Sequence, residues 1–382
     1  MRRTGWQTLL SEARCDILIS LSALPCTPNR PLQLGILYEE TLWSPVRHER
    51  RLALMVAALD RLFDQCADTV RCSDVCLRRW LRRILPDRPH KLPFELVSRR
   101  SSERTYRAEL KRFLCFWLRV FQLSPSTAEA VMGRRMYRPQ RQVLSQLWSD
   151  PIWEVESLRN PHSYEGGEDD GGFEDVDEGE ESDDDDDEEE EEAESEVEFD
   201  GNTIERDVDD DDESDATSST DWRSNEQEVR LNDPTVDILL CFCKYAMTEN
   251  FEDGTASSTM LVYFSAVRGL SPLNGDEYFQ PNRFTPILAR LIYCTRLILL
   301  KAVLPFRPNS YVNITSRPQY GQLKALNAIR TESMCDGTLS PMGEFLSLLS
   351  YGNALRRSQG PATHFHWSDD GQVLSWDGIH HT

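Results

Sequence analysis

The chain contains 382 residues, of which 65 are acidic and 42 are basic, for a net charge of −23. The charge is unevenly distributed: residues 1–159 have a net charge of +10, residues 160–230 of −32 and residues 231–382 of −1. The acidic block has too little apolar surface to offset the conformational entropy lost on folding, which excludes one continuous globule. Ten irregularly spaced cysteines indicate a reducing compartment rather than a disulfide scaffold.

Two apolar runs bear on membrane association. The run Ile17–Leu24 follows charged residues that a signal peptide would not place there, so we interpret it as a buried segment of a soluble domain. The run Ile287–Leu304 is interrupted by three cations, Arg290, Arg296 and Lys301. A membrane span needs about 20 mostly apolar residues, so the sequence predicts a core helix and no membrane association.

The first segment has helical periodicity. Ser44-Pro45 marks the start of one helix and Ser73 the start of a second, which Pro86 ends. A third helix is predicted over about 102–121 and a fourth over 139–148. In the second helix, the apolar and basic side chains occupy opposite arcs. The apolar arc consists of Leu77, Trp80, Leu81, Ile84 and Leu85, and the basic arc of Arg78, Arg79, Arg82 and Arg83.

The rest of the chain consists of a predicted disordered segment followed by further predicted helices. The acidic block contains ten consecutive carboxylates, residues 183–192, and self-repulsion predicts a disordered linker. Further helices are predicted over 234–247, 258–267 and 319–334, with others starting at Thr285-Pro286 and at Ser340-Pro341. Residues 364–376 predict a short C-terminal β-hairpin around Asp369-Asp370-Gly371, with no partner strand after it. The predicted fold is therefore mainly α: a basic Arg-rich helical module over 1–158, a disordered acidic linker over 159–230 and a second, truncated helical module over 231–382.

The Arg-rich helix faces are the strongest functional signal. Residues 1–159 contain 25 Arg and only 2 Lys, and the planar guanidinium suits phosphate because it donates two parallel hydrogen bonds. The candidate nucleic-acid-binding residues are Arg78, Arg79, Arg82, Arg83, Arg104, Arg107, Lys111 and Arg112. The alternative is that these are solvated helix faces paired with nearby acids.

Three interpretations of the acidic linker stay open. It can act as a solvating spacer, as an internal competitor for the arginines, or as a binding site for basic partners such as histone tails. Ser182 and Ser195 precede acidic residues and are candidate phosphorylation sites, which would deepen the negative charge.

Catalytic and metal-binding motifs are not found in the sequence. It contains no phosphate-binding G-x-x-x-x-G-K-[ST] loop, no G-x-S-x-G elbow, no H-E-x-x-H pair and no paired cysteine framework for zinc. The sequence therefore predicts no catalytic residues, no metal and no cofactor.

A series of short motifs in the third segment, in this order, resembles one known family. The motifs are Phe284-Thr285-Pro286-Ile287-Leu288-Ala289-Arg290, Pro318-Gln319-Tyr320-Gly321-Gln322-Leu323, Leu339-Ser340-Pro341-Met342-Gly343-Glu344-Phe345 and His366-Trp367-Ser368-Asp369-Asp370-Gly371-Gln372. Together they are similar to the region that precedes the motor in fungal telomere-associated, RecQ-like helicases. Arg78-Arg79-Trp80-Leu81 and Arg112-Phe113-Leu114-Cys115-Phe116-Trp117 resemble the stretch upstream of it. The resemblance implies a nuclear role in DNA transactions at chromosome ends or mobile elements.

The leading hypothesis is a DNA-associated accessory region. We expect it to be non-enzymatic because the chain contains no ATP-binding loop, and to be nuclear or otherwise cytoplasmic. The runner-up is a protein-interaction module whose acidic linker binds basic partners. Two further alternatives are a non-functional remnant of a larger mobile-element or telomeric gene, and an undescribed nuclease or strand-transfer enzyme.

Overall fold

The structure is a computed structural model. It describes residue 10, residues 13–25, 29–159, 233–250, 257–269, 281–304 and 321–358, and three short strands between residues 365 and 381. The predicted acidic linker, with Ser182 and Ser195, lies outside the described residues.

The described chain opens with a short helix and a β-hairpin. Helix α1 (Cys15–Leu21) buries Ile17, Leu18 and Leu21 completely, as the sequence predicted for this apolar run. Strands β1 (Leu32–Leu37) and β2 (Glu40–Ser44) follow and pair antiparallel. The strand register shifts at Gly35, which forms a bulge. Because glycine has no Cβ, β1 can lie close to α1 at this point; a Cβ at Gly35 would lie 2.7 Å from the Ile17 side chain.

The predicted position of the hairpin was wrong: the hairpin that packs on the helices is N-terminal. Its two turn residues, Tyr38 and Glu39, have φ of 49° and 69°. Turns of this kind normally use Asn-Gly or Asp-Gly, so no turn could be predicted at Tyr38-Glu39 from the residue types. At the other end of the chain, three three-residue strands pair antiparallel, namely β3 (Phe365–Trp367), β4 (Leu374–Trp376) and β5 (Ile379–His381). The predicted turn Asp369–Gly371 lies outside the described residues.

Helices form the rest of the described chain and follow the predicted order. Before the acidic block lie α2 (Val46–Arg71), α3 (Val75–Arg82), α4 (Arg100–Gln122), α5 (Pro125–Met132), α6 (Arg138–Ser149) and α7 (Ile152–Arg159). After it lie α8 (Pro234–Thr248), α9 (Thr259–Tyr263), α10 (Pro281–Val303), α11 (Gln322–Ser333) and α12 (Pro341–Ser358). A π-helical turn, Phe264–Arg268, continues α9.

Two helix ends differ from the prediction. Helix α3 ends at Arg82, before Pro86, so Leu85 leaves the apolar arc and is 39% exposed. Helix α10 begins at Pro281, so Pro286 lies inside it rather than at its first turn. As the sixth residue of the helix, Pro286 has no N–H to donate to the carbonyl oxygen four residues earlier, so one intrahelical hydrogen bond is missing there.

The helices on the two sides of the acidic block share one hydrophobic core. Both sides belong to one compact unit, and Phe113 of α4 packs against Phe242 of α8 and Tyr263 of α9, at ring-centroid distances of 5.9 Å and 5.5 Å. The Trp117 indole N–H also donates to the Thr259 carbonyl oxygen at 2.9 Å. The predicted division at 158 and 231 stays a prediction, but the described helices of both segments complete the same core.

Two buried ion pairs cross this core. Arg119 of α4 binds Glu49 of α2 through two hydrogen bonds of 2.9 Å and 2.7 Å, and its Nη1 donates to the Leu21 and Ala23 carbonyl oxygens. Glu109 accepts a hydrogen bond from the Tyr263 hydroxyl at 2.8 Å and pairs with Arg268 at 3.2 Å. Burial and the Glu109 charge raise the pKa of Tyr263 well above its usual value. Charged side chains are thus used to fix how the helices pack.

Candidate nucleic-acid interface

The arginines of α3 hold the irregular segment that follows the helix. Arg78 Nη1 donates to the Phe94 carbonyl oxygen at 3.3 Å, Arg79 Nε to that of His90 at 2.8 Å, and Arg82 Nη1 to that of Pro93 at 3.3 Å. All three side chains are half-buried as a result. The structure brings the predicted arginines together, but beside residues 83–99 rather than as a bare stripe facing solvent. We call Arg78, Arg79, Arg82 and Arg83 the α3 surface.

The hydrogen-bond partners of the α3 surface matter for its charge. Arg78 and Arg79 bind neutral backbone oxygens, and neither forms an ion pair with a carboxylate of the described chain. Arg83 lies just beyond the helix and forms no such pair in the described chain either. The Nε atoms of Arg78 and Arg83 are buried without a hydrogen-bond partner among the described residues. No carboxylate of the described chain therefore neutralises Arg78, Arg79 or Arg83. Each guanidinium carries five N–H groups, and the bonds to carbonyl oxygens leave N–H groups on the Nη atoms unused.

The candidate cations of α4 have a different environment. Arg107 binds Asp64 at 2.6 Å and Glu103 at 2.5 Å, and Lys111 binds Asp60 at 2.7 Å. Burial alone would lower the pKa of Arg107, but its hydrogen bonds to Asp64 and Glu103 raise it. For Arg107 and Lys111, the structure thus matches the alternative of local pairing.

The other two candidates of α4 lie apart from these pairs. Arg104 is exposed in the second turn of α4, and no ion pair joins it to a carboxylate in the described part of the chain. Arg112 is half-buried, and its charge acts on the buried Tyr263. Of the four α4 candidates, only Arg104 is exposed and has no carboxylate partner in the described chain.

Residues of the third segment hold the end of α3 through hydrogen bonds to its backbone and to the residues that follow it. The carbonyl oxygens of residues 82–85 all accept hydrogen bonds from the third segment, at 2.9–3.1 Å. Arg296 Nη2 donates to the carbonyl oxygen of Arg82, and the Asp336 N–H donates to that of Ile84. Arg330 Nη2 donates to the carbonyl oxygens of Arg83 and Leu85. Only the first of these carbonyls belongs to α3, and the other three lie in the segment just after it.

Arg330 adds positive charge behind the α3 surface. Its side chain is fully buried and lies over the Trp80 ring, 5.0 Å from the centroid. Burial, together with the charges of Arg296 and Arg83, lowers the pKa of Arg330. Sequence reasoning missed this role, although Arg296 gave a signal by interrupting an apolar helix.

Metal ligands, cysteines and membrane-spanning helices are the other features of the described part of the chain that bear on function. It contains no group of three His, Cys, Asp or Glu side chains that could hold a metal ion. Cys72 and Cys76 are exposed, whereas Cys66 is buried, and burial raises its pKa. The described helices include none that is both long enough and apolar enough to cross a membrane.

Comparison of the chain with protein-family models, curated proteins and solved structures found no match.

Proposed function

We propose that this chain is a non-enzymatic nucleic-acid-binding protein whose α3 surface contacts phosphates. One observation carries the proposal: Arg78 and Arg79 are held by carbonyl oxygens instead of carboxylates. Other cations of the fold form ion pairs, as Arg107 and Lys111 do, whereas Arg78 and Arg79 have no carboxylate partner among the described residues. A polyanion is the partner that such a surface attracts.

The composition around α3 supports phosphate as the target. Residues 72–104 contain nine basic and four acidic side chains, a net charge of +5, and eight of the nine are arginine. Arginine binds a phosphate through two parallel hydrogen bonds, whereas lysine offers a point charge. The resemblance to the region upstream of a helicase motor agrees with DNA as the nucleic acid and the nucleus as the compartment.

The test is fluorescence anisotropy of the full chain with a labelled 20-base-pair DNA duplex at one moderate salt concentration. Replacing Arg78, Arg79 and Arg83 by glutamine should weaken binding by tenfold or more, because each charged hydrogen bond to phosphate is lost. The same three positions changed to lysine should bind more tightly than the glutamine variant, since the charge stays. Melting curves of both variants check that residues 83–99 still fold.

A matched control removes three exposed cations outside the α3 surface. Arg71, Lys244 and Lys324 are exposed, and their replacement by glutamine should leave duplex affinity within a factor of two or three. Equal loss in the control and the α3 variant would reduce the effect to net charge and overturn the proposal. If the full chain binds basic peptides but no DNA at any salt concentration, the result favours the alternative, a protein-interaction module whose acidic block binds basic partners.

A further inference from the structure

A second basic surface lies where α5 turns into α6. Residues 133–149 contain four arginines and no acidic residue. Gly133, with φ of 68°, ends α5 in the left-handed region that glycine tolerates. We call Arg134, Arg135, Tyr137, Arg138 and Arg141 the α5–α6 surface; none of them is among the residues predicted from sequence.

This surface combines arginine with aromatic rings. The Arg134 guanidinium lies over the Tyr137 ring at 5.0 Å from its centroid, and the Arg141 guanidinium lies over the Phe121 ring at 5.8 Å. Tyr137 is nevertheless 45% exposed. Alternating guanidinium planes and aromatic rings are what unpaired bases stack on in single-strand-binding proteins.

The backbone under Tyr137 is fixed by a buried side chain. Gln140 is 1% exposed and accepts a hydrogen bond from the Tyr137 N–H at 3.0 Å. Its amide nitrogen donates to Glu249 at 2.7 Å and to the Ser257 carbonyl oxygen at 3.1 Å. The backbone that positions the Tyr137 ring is therefore held in place before a ligand binds, which reduces the conformational entropy lost on binding.

The existing ion pair on this surface is weak. Arg135 Nε lies 2.9 Å from Glu129, but the Arg135 side chain is 82% exposed. Exposed pairs of this kind contribute little to stability because both charges stay solvated, so a phosphate can replace the carboxylate.

The α5–α6 surface lies far from Arg104, the exposed cation of α4. Arg104 lies in the second turn of α4, whereas Phe121, under Arg141, lies in its last turn. Seventeen positions separate the two residues on one helix, which corresponds to about 25 Å. A ligand at Arg104 is thus not excluded by a ligand on the α5–α6 surface.

We infer that the α5–α6 surface binds an unpaired nucleic-acid strand, with phosphates on Arg135 and Arg138 and a base stacked on Tyr137. The inference rests on the proposed function and adds the class of nucleic acid. A duplex offers no open base face for stacking, so this surface discriminates in favour of single strands. An anionic membrane fits less well, because residues 133–149 expose no large apolar side chain besides Tyr137.

The test compares a 15-nucleotide single strand with a 20-base-pair duplex, both on the full chain. Tyr137→Leu should weaken single-strand binding about tenfold and leave duplex binding unchanged, whereas Tyr137→Phe, which keeps the ring, should match wild type. Replacing Arg135 and Arg138 by glutamine should reduce the salt slope for the single strand by about 1.4, at about 0.7 per phosphate. The control replaces Arg71 and Lys324, which lie outside both surfaces.

The outcomes separate this inference from the proposed function. Unchanged single-strand affinity in Tyr137→Leu, alongside duplex binding that still depends on α3, overturns the inference alone. Equal loss for single strand and duplex would also overturn it, because stacking would not explain the duplex result. A wild-type chain that binds neither probe overturns both.

Discussion

The buried ion pair between Arg119 and Glu49 gives the sharpest prediction on stability. The two side chains are 1% and 2% exposed, and the guanidinium also serves the carbonyl oxygens of Leu21 and Ala23. Arg119→Met keeps a side chain of similar length but leaves the Glu49 carboxylate buried without its cation. Breaking a buried pair in this way costs about 3–5 kcal/mol in free energy of unfolding.

The expected change is large enough for thermal unfolding to measure. A loss of 4 kcal/mol corresponds to a fall in Tm of roughly 8–16 °C for a unit of this size, at about 2–4 °C per kcal/mol. Glu49→Met combined with Arg119→Met removes both charges, so the double variant should be more stable than Arg119→Met alone. A fall of less than 2 °C in Arg119→Met, or a double variant that is less stable than this single one, would refute the reasoning.

Three further predictions concern charge, thiols and pH. If the acidic block competes for the arginines, deleting residues 165–215 should tighten non-specific DNA binding at low salt, because the deletion removes most of the negative charge of the chain. A thiol reagent should label the exposed Cys72 and Cys241 quickly and Cys243 slowly, since Cys243 is buried and burial raises its pKa to about 12. The Tyr263 hydroxyl keeps its proton in the folded chain where the unfolded chain releases it, so the free energy of unfolding should fall as pH rises above about 10.

Each of these predictions has a direct check. DNA affinity that is unchanged by the deletion would remove the competitor interpretation of the linker. Labelling is followed by peptide mass mapping, and equal rates at Cys72 and Cys243 would contradict the buried position of Cys243. For the pH effect, Tyr263→Phe should show a shallower loss of stability above pH 10 than wild type, and identical profiles would contradict the raised pKa.

Helical periodicity predicted most elements of the fold, because the buried positions of α2 and α6 recur at helical spacing. The hairpin was missed because Tyr38 and Glu39 adopt positive φ without the residues that usually signal it. The second half of α4 is buried on all sides, including Arg119, which pairs with Glu49 and also donates to two backbone carbonyl oxygens. Periodicity shows one buried face and cannot show which charges neutralise each other.

The candidate site was predicted in part. The sequence identified the arginines of α3 by their shared helix face, but not that residues 83–99 cover them. Nor does it show that Arg296 and Arg330, more than 200 residues away, bind the carbonyls at the end of α3. These contacts depend on irregular backbone and on tertiary packing, which leave no periodic signal. Whether a cation is paired is likewise decided by packing, as Arg107 and Arg79 illustrate.

The salt dependence of duplex binding tests the central claim most directly. Each phosphate that the protein neutralises contributes about −0.9 to the slope of log affinity against log salt. The account predicts that replacing Arg78, Arg79 and Arg83 by glutamine reduces the magnitude of the slope by roughly 2–3, while the change at Arg71, Lys244 and Lys324 leaves it unaltered. A slope that is the same in wild type and the α3 variant would show that these guanidiniums do not contact phosphate.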